Sequence, residues 1–327
     1  MKINAFWPNI HSTIAETSRN VRLETAESTK FSASNEGDKK MAFGSVIWTW
    51  FNGGWHQGDL PVMNSADHGT WLGSAVFDGA RAFEGVVPDI EAHCARANAS
   101  AKAMGLNPTH TIDDLVVLVH EGLEKFDPQA AVYIRPTYWA RDGAAFVIVP
   151  DADSTAFCLT LEQAPMADGE ATQSLGRTRF TRPTIDTAVV NAKAACLYPN
   201  NARMLSEVIA RGFQNAIVAD ALGNVAETAT SNIFMVKDDV VKTPIPNGTF
   251  LNGITRQRVI KLLRTAGRQV EETTLSFEDF DGADEVFLTG NMSKVTPITR
   301  IEEREFAIGP VARQARGLYW EWAKSGG

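Results

Sequence analysis

Lys193 lies in the stretch Val190-Asn191-Ala192-Lys193-Ala194-Ala195-Cys196-Leu197-Tyr198, and no other charged residue occurs from Thr187 to Ala202. Small and apolar neighbours of this kind line interiors and cleft floors, where lysine is almost never found without a partner. A desolvated ammonium has a lowered pKa, and the free amine is a nucleophile of the Schiff-base type. The alternative is a lysine whose charge snorkels past its apolar neighbours to water. The local pattern leaves both open.

Other stretches carry complementary chemistry. In Leu251-Asn252-Gly253-Ile254-Thr255-Arg256 a glycine turn opens directly into a helical pattern. Free N–H groups and the positive end of the helix dipole converge there, which suits an anion such as phosphate. A plain helix start would look the same. Arg81, in Phe77-Asp78-Gly79-Ala80-Arg81-Ala82-Phe83, needs an anionic partner: a ligand phosphate or carboxylate, or a salt bridge to Asp78 or Glu84. Glu227 lies among small residues in Val225–Asn232, between two strand-like runs. It could hold a proton on a heterocyclic nitrogen or simply face solvent. Tyr133 and Arg135 are two apart in a β-rich run, so both project from one face of a strand and could receive a carboxylate. They could equally mark an edge strand ended by Pro136.

The elements that must position these residues are legible in outline. Ser45–Phe51 reads as a strand, and Asn52-Gly53-Gly54 as a hairpin turn leading to Trp55 and Leu60-Pro61-Val62. Gly73–Phe83 reads as strand into loop. Ile90–Met104 reads as a helix from the spacing of Ala92, Ala95, Ala99 and Ala103, with Gly105 as its stop. Thr111 can cap the N–H of Asp114 and open a second helix. Ala131–Trp139 is a β run, and apolar runs follow at Phe146–Val149 and Ala156–Leu161. In the second half, helices are expected at Asn201–Arg211, Ile254–Ala266 and Val311–Trp322. Short strands are expected at Asn215–Val218, Asn232–Val236 and Asp284–Leu288, with turns between them.

Size and composition narrow the class. The chain has 327 residues, a net charge of −8, 44% hydrophobic and 21% charged residues. That is an ordinary globular mix with no sign of a nucleic-acid or anionic-membrane partner. No apolar run approaches the roughly 20 residues of a membrane span. Three cysteines without CxxC spacing argue against a disulfide framework or a zinc site and fit a reducing cytoplasm. Cys196 is expected to be a small buried hydrophobe. Residues 1–40 are polar and unpatterned and read as a disordered extension, with Met41 as the functional start. The remainder divides into 41–162, a linker at 163–174, and 175–327.

Taken together, the blocks Gly73–Arg81, Tyr133-Ile134-Arg135-Pro136, Ala192-Lys193-Ala194 with Tyr198, Ala226-Glu227 with Ser231–Phe234, Asn252–Arg256, and Asp284–Phe287 with Val295-Thr296-Pro297 resemble the class IV, fold-type-IV pyridoxal-phosphate aminotransferases. The branched-chain amino acid aminotransferases are the most similar type. The resemblance implies an α+β fold, with a small α/β N-terminal domain and a larger pseudo-barrel domain carrying the Schiff-base lysine. It implies pyridoxal 5'-phosphate as cofactor. Lys193 resembles the lysine that condenses with the cofactor aldehyde and later shuttles a proton. Glu227 resembles the partner of the ring nitrogen, and Tyr198 the donor to the ring oxygen. Arg81 and the N–H groups of Ile254 and Thr255 resemble a phosphate clamp, to which Thr255 adds its hydroxyl. Phe77, Tyr133, Arg135 and Met292 take the substrate side.

The implied reaction moves an amino group from a branched-chain L-amino acid to 2-oxoglutarate. A different class IV reaction on an amine, a D-amino acid or aminodeoxychorismate is the alternative. A cofactor-free binding protein of the same fold is a second. A dimer, or a higher assembly of dimers, is implied as well. Two departures bear on the substrate. Gly290-Asn291-Met292 stands where the family usually has Gly-Thr-Ala, leaving Asn291 to donate toward phosphate. Leu72, after Trp71, stands where enterobacterial branched-chain enzymes carry a pocket tyrosine. The substrate pocket is expected at Leu72, Asn291 and Met292.

Overall fold

The computed structural model describes residues 46–167 and 169–326. The expected extension at 1–40 and the start at Met41 lie outside the described residues. The first described element is a hairpin. Strand β1 (Ile47–Phe51) is built of β-branched and aromatic residues and pairs antiparallel with β2 (Gly54–Gln57). The loop between them is Asn52-Gly53, with φ of 51° and 84°. Two successive positive φ values give the turn whose twist matches the strands, and asparagine and glycine tolerate them best. Leu60-Pro61-Val62 adds no strand.

One turn of helix, α1 (His68–Trp71), leads to β3 (Ala75–Phe77) and β4 (Ala80–Ala82). Helices α2 (Ile90–Ala103) and α3 (Ile112–Leu123) follow, then the long strands β5 (Val132–Ala140) and β6 (Thr155–Gln163). The six strands make one sheet in the order β2-β1-β6-β5-β3, with β4 also on β5. Thr111 caps α3 as expected, accepting from Asp114 N at 3.1 Å while Asp114 accepts from Thr111 N. Helices α2 and α3 pack on this sheet through Cys94, Ala97, Ala101, Leu115 and Val119 against Ile134, Leu159 and Leu161.

The buried face of α2 holds His93, Cys94, Ala97, Ser100 and Ala101, whereas Ala92, Ala99 and Ala103 are exposed and Ala95 half-buried. The alanine spacing marks a helix but lies on its outer side. β5 also runs through Pro136, unlike the edge strand that this proline allowed. Pro136 faces Leu159 on one side and, on the other, the gap between β3 and β4, where its carbonyl accepts from Asp78 N at 3.0 Å. The missing N–H falls where the neighbouring strand is interrupted. The run Phe146–Val149 is not a strand. It forms an exposed loop tip, with Phe146 at 97% exposure, anchored by the buried His68 ring to Val147 O at 2.9 Å.

The second sheet has nine strands: β7 (Gln173–Thr181), β8 (Asn215–Ala219), β9 (Val225–Thr228), β10 (Asn232–Lys237), β11 (Val240–Pro244), β12 (Val270–Thr273), β13 (Glu285–Gly290), β14 (Lys294–Ile301) and β15 (Arg304–Glu305). Their order is β12-β11-β10-β13-β14-β7-β8-β9, with β15 on β14, and the pairings are mixed parallel and antiparallel. Helices α4 (Tyr198–Ile209), α5 (Ile254–Thr265), α6 (Phe277–Asp281) and α7 (Pro310–Lys324) complete the chain. Helices α5 and α7 bury Val259, Leu263, Val311, Ala315 and Tyr319 against Phe234 and Phe287, whose rings stack at 4.9 Å. Among the described residues no helix is long and apolar enough to cross a membrane.

Candidate active site

Lys193 is placed by backbone contacts on both sides of it. Its carbonyl accepts from Phe77 N at 3.1 Å, its N–H donates to Ser100 Oγ at 3.0 Å, and Ala194 bridges to Val76. The lysine segment is thereby pinned to β3 and α2. The half-buried side chain forms part of the wall of a cavity of about 760 Å³. Nζ donates to Tyr198 Oη at 2.6 Å and stands 4.8 Å from the Phe77 ring centroid. Burial lowers the ammonium below its ordinary pKa, and the Arg96 guanidinium pushes the same way, against the opposing pull of Tyr133, Asp78 and Glu227. The amine thus stands at the cavity wall with its charged form disfavoured.

Glu227 lies within strand β9, not on a loop between strands, and it lines the same cavity. Its alanine-and-glutamate neighbourhood has weak β propensity, so the strand was not evident locally. Arg182 holds Oε1 at 2.9 Å, and Asn232 Nδ2 donates to Oε2 at 3.2 Å. Burial nonetheless pushes the carboxyl up to about 7, with Arg182 and Lys193 opposing it. The sign of the linkage follows. A folded pKa above the unfolded value near 4.5 favours the fold below that pH, and the contribution is lost as pH rises through about 7. The stability of the cofactor-free wild type relative to Glu227→Gln should therefore fall between those two values, by on the order of a few kcal/mol. Melting curves of the two proteins that stay parallel across that range would contradict it.

Helix α5 brings Ile254 and Thr255 to the cavity, and its N-cap, Gly253, supplies no side-chain cap. A Cβ at Gly253 would stand 2.2 Å from Asn232 Oδ1, so only glycine lets this turn close on the strand carrying Asn232. β5 presents Tyr133, Arg135 and Thr137, and Gly79 lies so close that a Cβ there would meet Tyr133 Oη at 2.3 Å. Arg135 reaches Glu162 at 3.6 Å and lies over the Tyr133 ring. The turn after β13 adds Asn291 and Met292.

The cavity thus joins all the candidate residues except Arg81 and Leu72. Arg81 is fully buried and does not line it. Its guanidinium donates to Ala164 O and to Met292 Sδ at 3.6 Å, and pairs with neither Asp78 nor Glu84. The local salt bridge gives way to this interior position, while the buried Arg81 Nε is left with no hydrogen-bond partner among the described residues, which keeps the clamp expectation open. Arg96 of α2, unlike Arg81, lines the cavity beside Arg135 and Arg182. Its Nε and Nη2 donate to Asp78 at 2.6 and 2.8 Å. His93 Nδ1 lies 2.7 Å from the same carboxylate. Burial alone would raise Asp78, but Arg96 and His93 outweigh it and hold the carboxyl well below its usual range. Arg96, His93, Asp78 and Arg182 were all missed in the sequence. A histidine and an arginine three apart in an alanine helix, and an arginine directly before Pro183, were the available signals.

Two smaller expectations also change. Leu72 and Trp71 do not line the cavity, and Trp71 is 57% exposed. Cys196 is exposed, while Cys94 and Cys158 are buried.

A lysine of depressed pKa, a buried carboxyl group, several guanidinium groups and a helix start without a side-chain cap thus meet in one cavity. The chain belongs to the class IV aminotransferases: residues 75–301 match the family model described as amino-transferase class IV. Within that family it is similar to the branched-chain enzymes. It is 30% identical over 259 residues to a probable branched-chain-amino-acid aminotransferase of Rickettsia felis, covering 79% of this chain and 88% of that protein. It is 31% identical over 290 residues to the branched-chain-amino-acid aminotransferase of Escherichia coli K12, covering 84% and 92%. Among solved structures, an aminotransferase from Brucella abortus bound to the cofactor PLP aligns with a TM-score of 0.85 at 58% identity, over 86% of this chain and 100% of that one. The mixed α/β architecture is that of the fold-type-IV aminotransferases, as the resemblance implied.

Proposed function

We propose that the enzyme transfers an amino group from a branched-chain L-amino acid to 2-oxoglutarate, using pyridoxal 5'-phosphate held in the cavity. The observation that carries this is that Lys193 and Glu227 open on one cavity with the uncapped N-terminus of α5. The cavity also suits the cofactor chemically. Asn291 Nδ2 and Thr289 Oγ1 are buried polar atoms on lining residues, with no partner among the described residues. When bound, the cofactor supplies an aldehyde carbon for amine exchange and an electron-accepting ring.

The residues divide the remaining work. Lys193 Nζ supplies the amine nucleophile and moves the proton at the substrate Cα. Glu227 holds the proton at the ring nitrogen, and its raised pKa keeps that proton shared rather than lost. Tyr198 Oη, 2.6 Å from Nζ, donates to the ring oxygen. Arg81, whose buried Nε has no partner among the described residues, and Arg96 at the cavity wall bind phosphate together with the N–H groups of Ile254 and Thr255 and the Thr255 hydroxyl. Phe77 and Met292 give the substrate an apolar wall. Tyr133 and Arg135 meet carboxylates, and Arg135 can exchange Glu162 for the second carboxylate of the diacid.

That engagement of Arg135 by Glu162 also favours a second reading. A class IV enzyme acting on an amine or a D-amino acid needs no free arginine there. An amino-donor panel scored by glutamate formation separates the two. Leucine, isoleucine and valine should be the preferred donors; turnover of a chiral amine without turnover of leucine would overturn the first reading.

The enzyme is further proposed to work as an assembly of at least two copies. The support is the folded apolar tip Phe146–Val149, four large side chains each more than half exposed. A light-scattering mass of a single 35.6 kDa chain would refute this.

A further inference from the structure

Lys294 is the other buried lysine near the site, and no role assigned above uses it. It is 0% exposed and stands at the start of β14 with φ of 62°, a left-handed conformation that lysine adopts at a cost. It does not line the cavity. Among the described residues it makes no ion pair with a carboxylate. Its Nζ donates to Asn291 Oδ1 at 2.9 Å and otherwise faces the rings of Tyr319 and Phe83, at 5.5 and 6.0 Å. A buried ammonium without a carboxylate is expensive to keep, and a strained backbone adds to the cost.

The contact with Asn291 gives that expense a use. The ammonium form has three donors and no acceptor, so the amide atom facing it is the oxygen, as the contact with Oδ1 has it. The two branches of the amide are thereby distinguished. Oδ1 is held on the side of Lys294, and Nδ2 is left as the branch that can serve the cavity. Nδ2 is buried and has no partner among the described residues, and Asn291 is part of the cavity wall. A donor fixed in this way needs an anionic or carbonyl oxygen from a ligand.

We infer that Lys294 is a positioning residue that locks the Asn291 amide with its N–H donors presented to an anionic oxygen in the cavity. The oxygen belongs either to the cofactor phosphate or to the substrate carboxylate. This rests on the reading of the cavity as a pyridoxal-phosphate site. Without Lys294 the amide is free to present Oδ1, which would repel the same oxygen. The buried positive charge behind the amide also strengthens its pull on an anion. Burial, with Arg81 adding to it, pushes the Lys294 ammonium down to about 7 against the opposing pull of Asp89.

The test compares wild type, Lys294→Met and Asn291→Asp for three quantities: affinity for pyridoxal phosphate, affinity for pyridoxal, which lacks the phosphate, and KM for glutamate. Asn291→Asp leaves Lys294 a partner, so the turn stays folded, but it removes the donor. It serves as the informative variant if Lys294→Met does not fold. Weaker binding of pyridoxal phosphate with unchanged binding of pyridoxal, by about tenfold for Lys294→Met and more for Asn291→Asp, supports the inference and assigns the oxygen to phosphate. A rise in KM of the same size with unchanged cofactor affinity supports it and assigns the oxygen to the carboxylate. Unchanged values, or parallel weakening of both cofactor forms, overturn it, since a packing defect does not distinguish them. Wild-type protein that fails to bind pyridoxal phosphate would instead overturn the reading of the cavity, before any variant is compared.

Discussion

Lys193→Ala should lower kcat/KM for glutamate formation by roughly four to six orders of magnitude, the scale expected when one residue is both nucleophile and proton carrier. The fold should survive. The backbone contacts that place the segment, with Phe77 N and Ser100 Oγ, do not involve the side chain. Removing an ammonium that burial already disfavours should leave the melting temperature unchanged or slightly higher. The phosphate contacts of Arg96 and α5 would remain, so the variant should still take up pyridoxal phosphate without the absorbance of the lysine-linked form. Added methylamine should restore part of the rate. Activity within tenfold of wild type would remove Lys193 from the centre of the mechanism.

Arg96→Met should have the largest effect on stability. Asp78 is fully buried, and the substitution leaves its carboxylate with His93 and the N–H of Gly79. Removing one partner of a buried pair costs about 3–5 kcal/mol, because the other charge is left uncompensated. For a chain of this size that is a fall in melting temperature of about 10 °C. The pH dependence has a definite sign. In the wild type the Asp78 pKa is depressed below 3.8, so its stabilisation is complete above that pH and is lost as pH falls below it. The gap between wild type and variant should therefore be full at neutral pH and narrow in acid. Arg96→Met combined with Asp78→Asn should recover most of the stability, since no buried charge is stranded. It should not recover affinity for pyridoxal phosphate. Recovery of both would make Arg96 a purely structural residue. A single variant as stable as wild type would contradict the burial of Asp78.

The two arginines show how far residue types can be read without coordinates. Arg81 is conspicuous in sequence because it interrupts an apolar, glycine-rich strand end. Arg96 is inconspicuous because it sits in a helix whose alanine spacing points to a different face. In the structure Arg81 is sealed between Ala164 and Met292, while α2 turns His93 and Arg96 inward to Asp78 and the cavity. The alanine pattern identified the helix but not its orientation, since alanine is tolerated on either side. Pro136 misled in a similar way. Its missing N–H suggests a sheet edge, and only the break between β3 and β4 makes it acceptable in a central strand.

What the sequence determined by itself is what local physics controls. The Asn52-Gly53 turn follows from backbone dihedrals, the Thr111 cap from one side-chain bond, and the start of α5, without a side-chain cap, from a glycine before a helix. The unusual company of Lys193 is visible in the same way, as is the shared face of Tyr133 and Arg135. The tertiary structure alone decided which charged groups meet. Glu227 and Arg182 are 45 residues apart in the chain and 2.9 Å apart in space, and Asp78 chooses Arg96 over the nearer Arg81. It also decided that Asn291 and Met292, but not Leu72, form the cavity wall. Such pairings depend on the register and packing of two sheets. Dihedral preferences and periodicity act over a few residues, so they form the elements without specifying which of their side chains will share the interior.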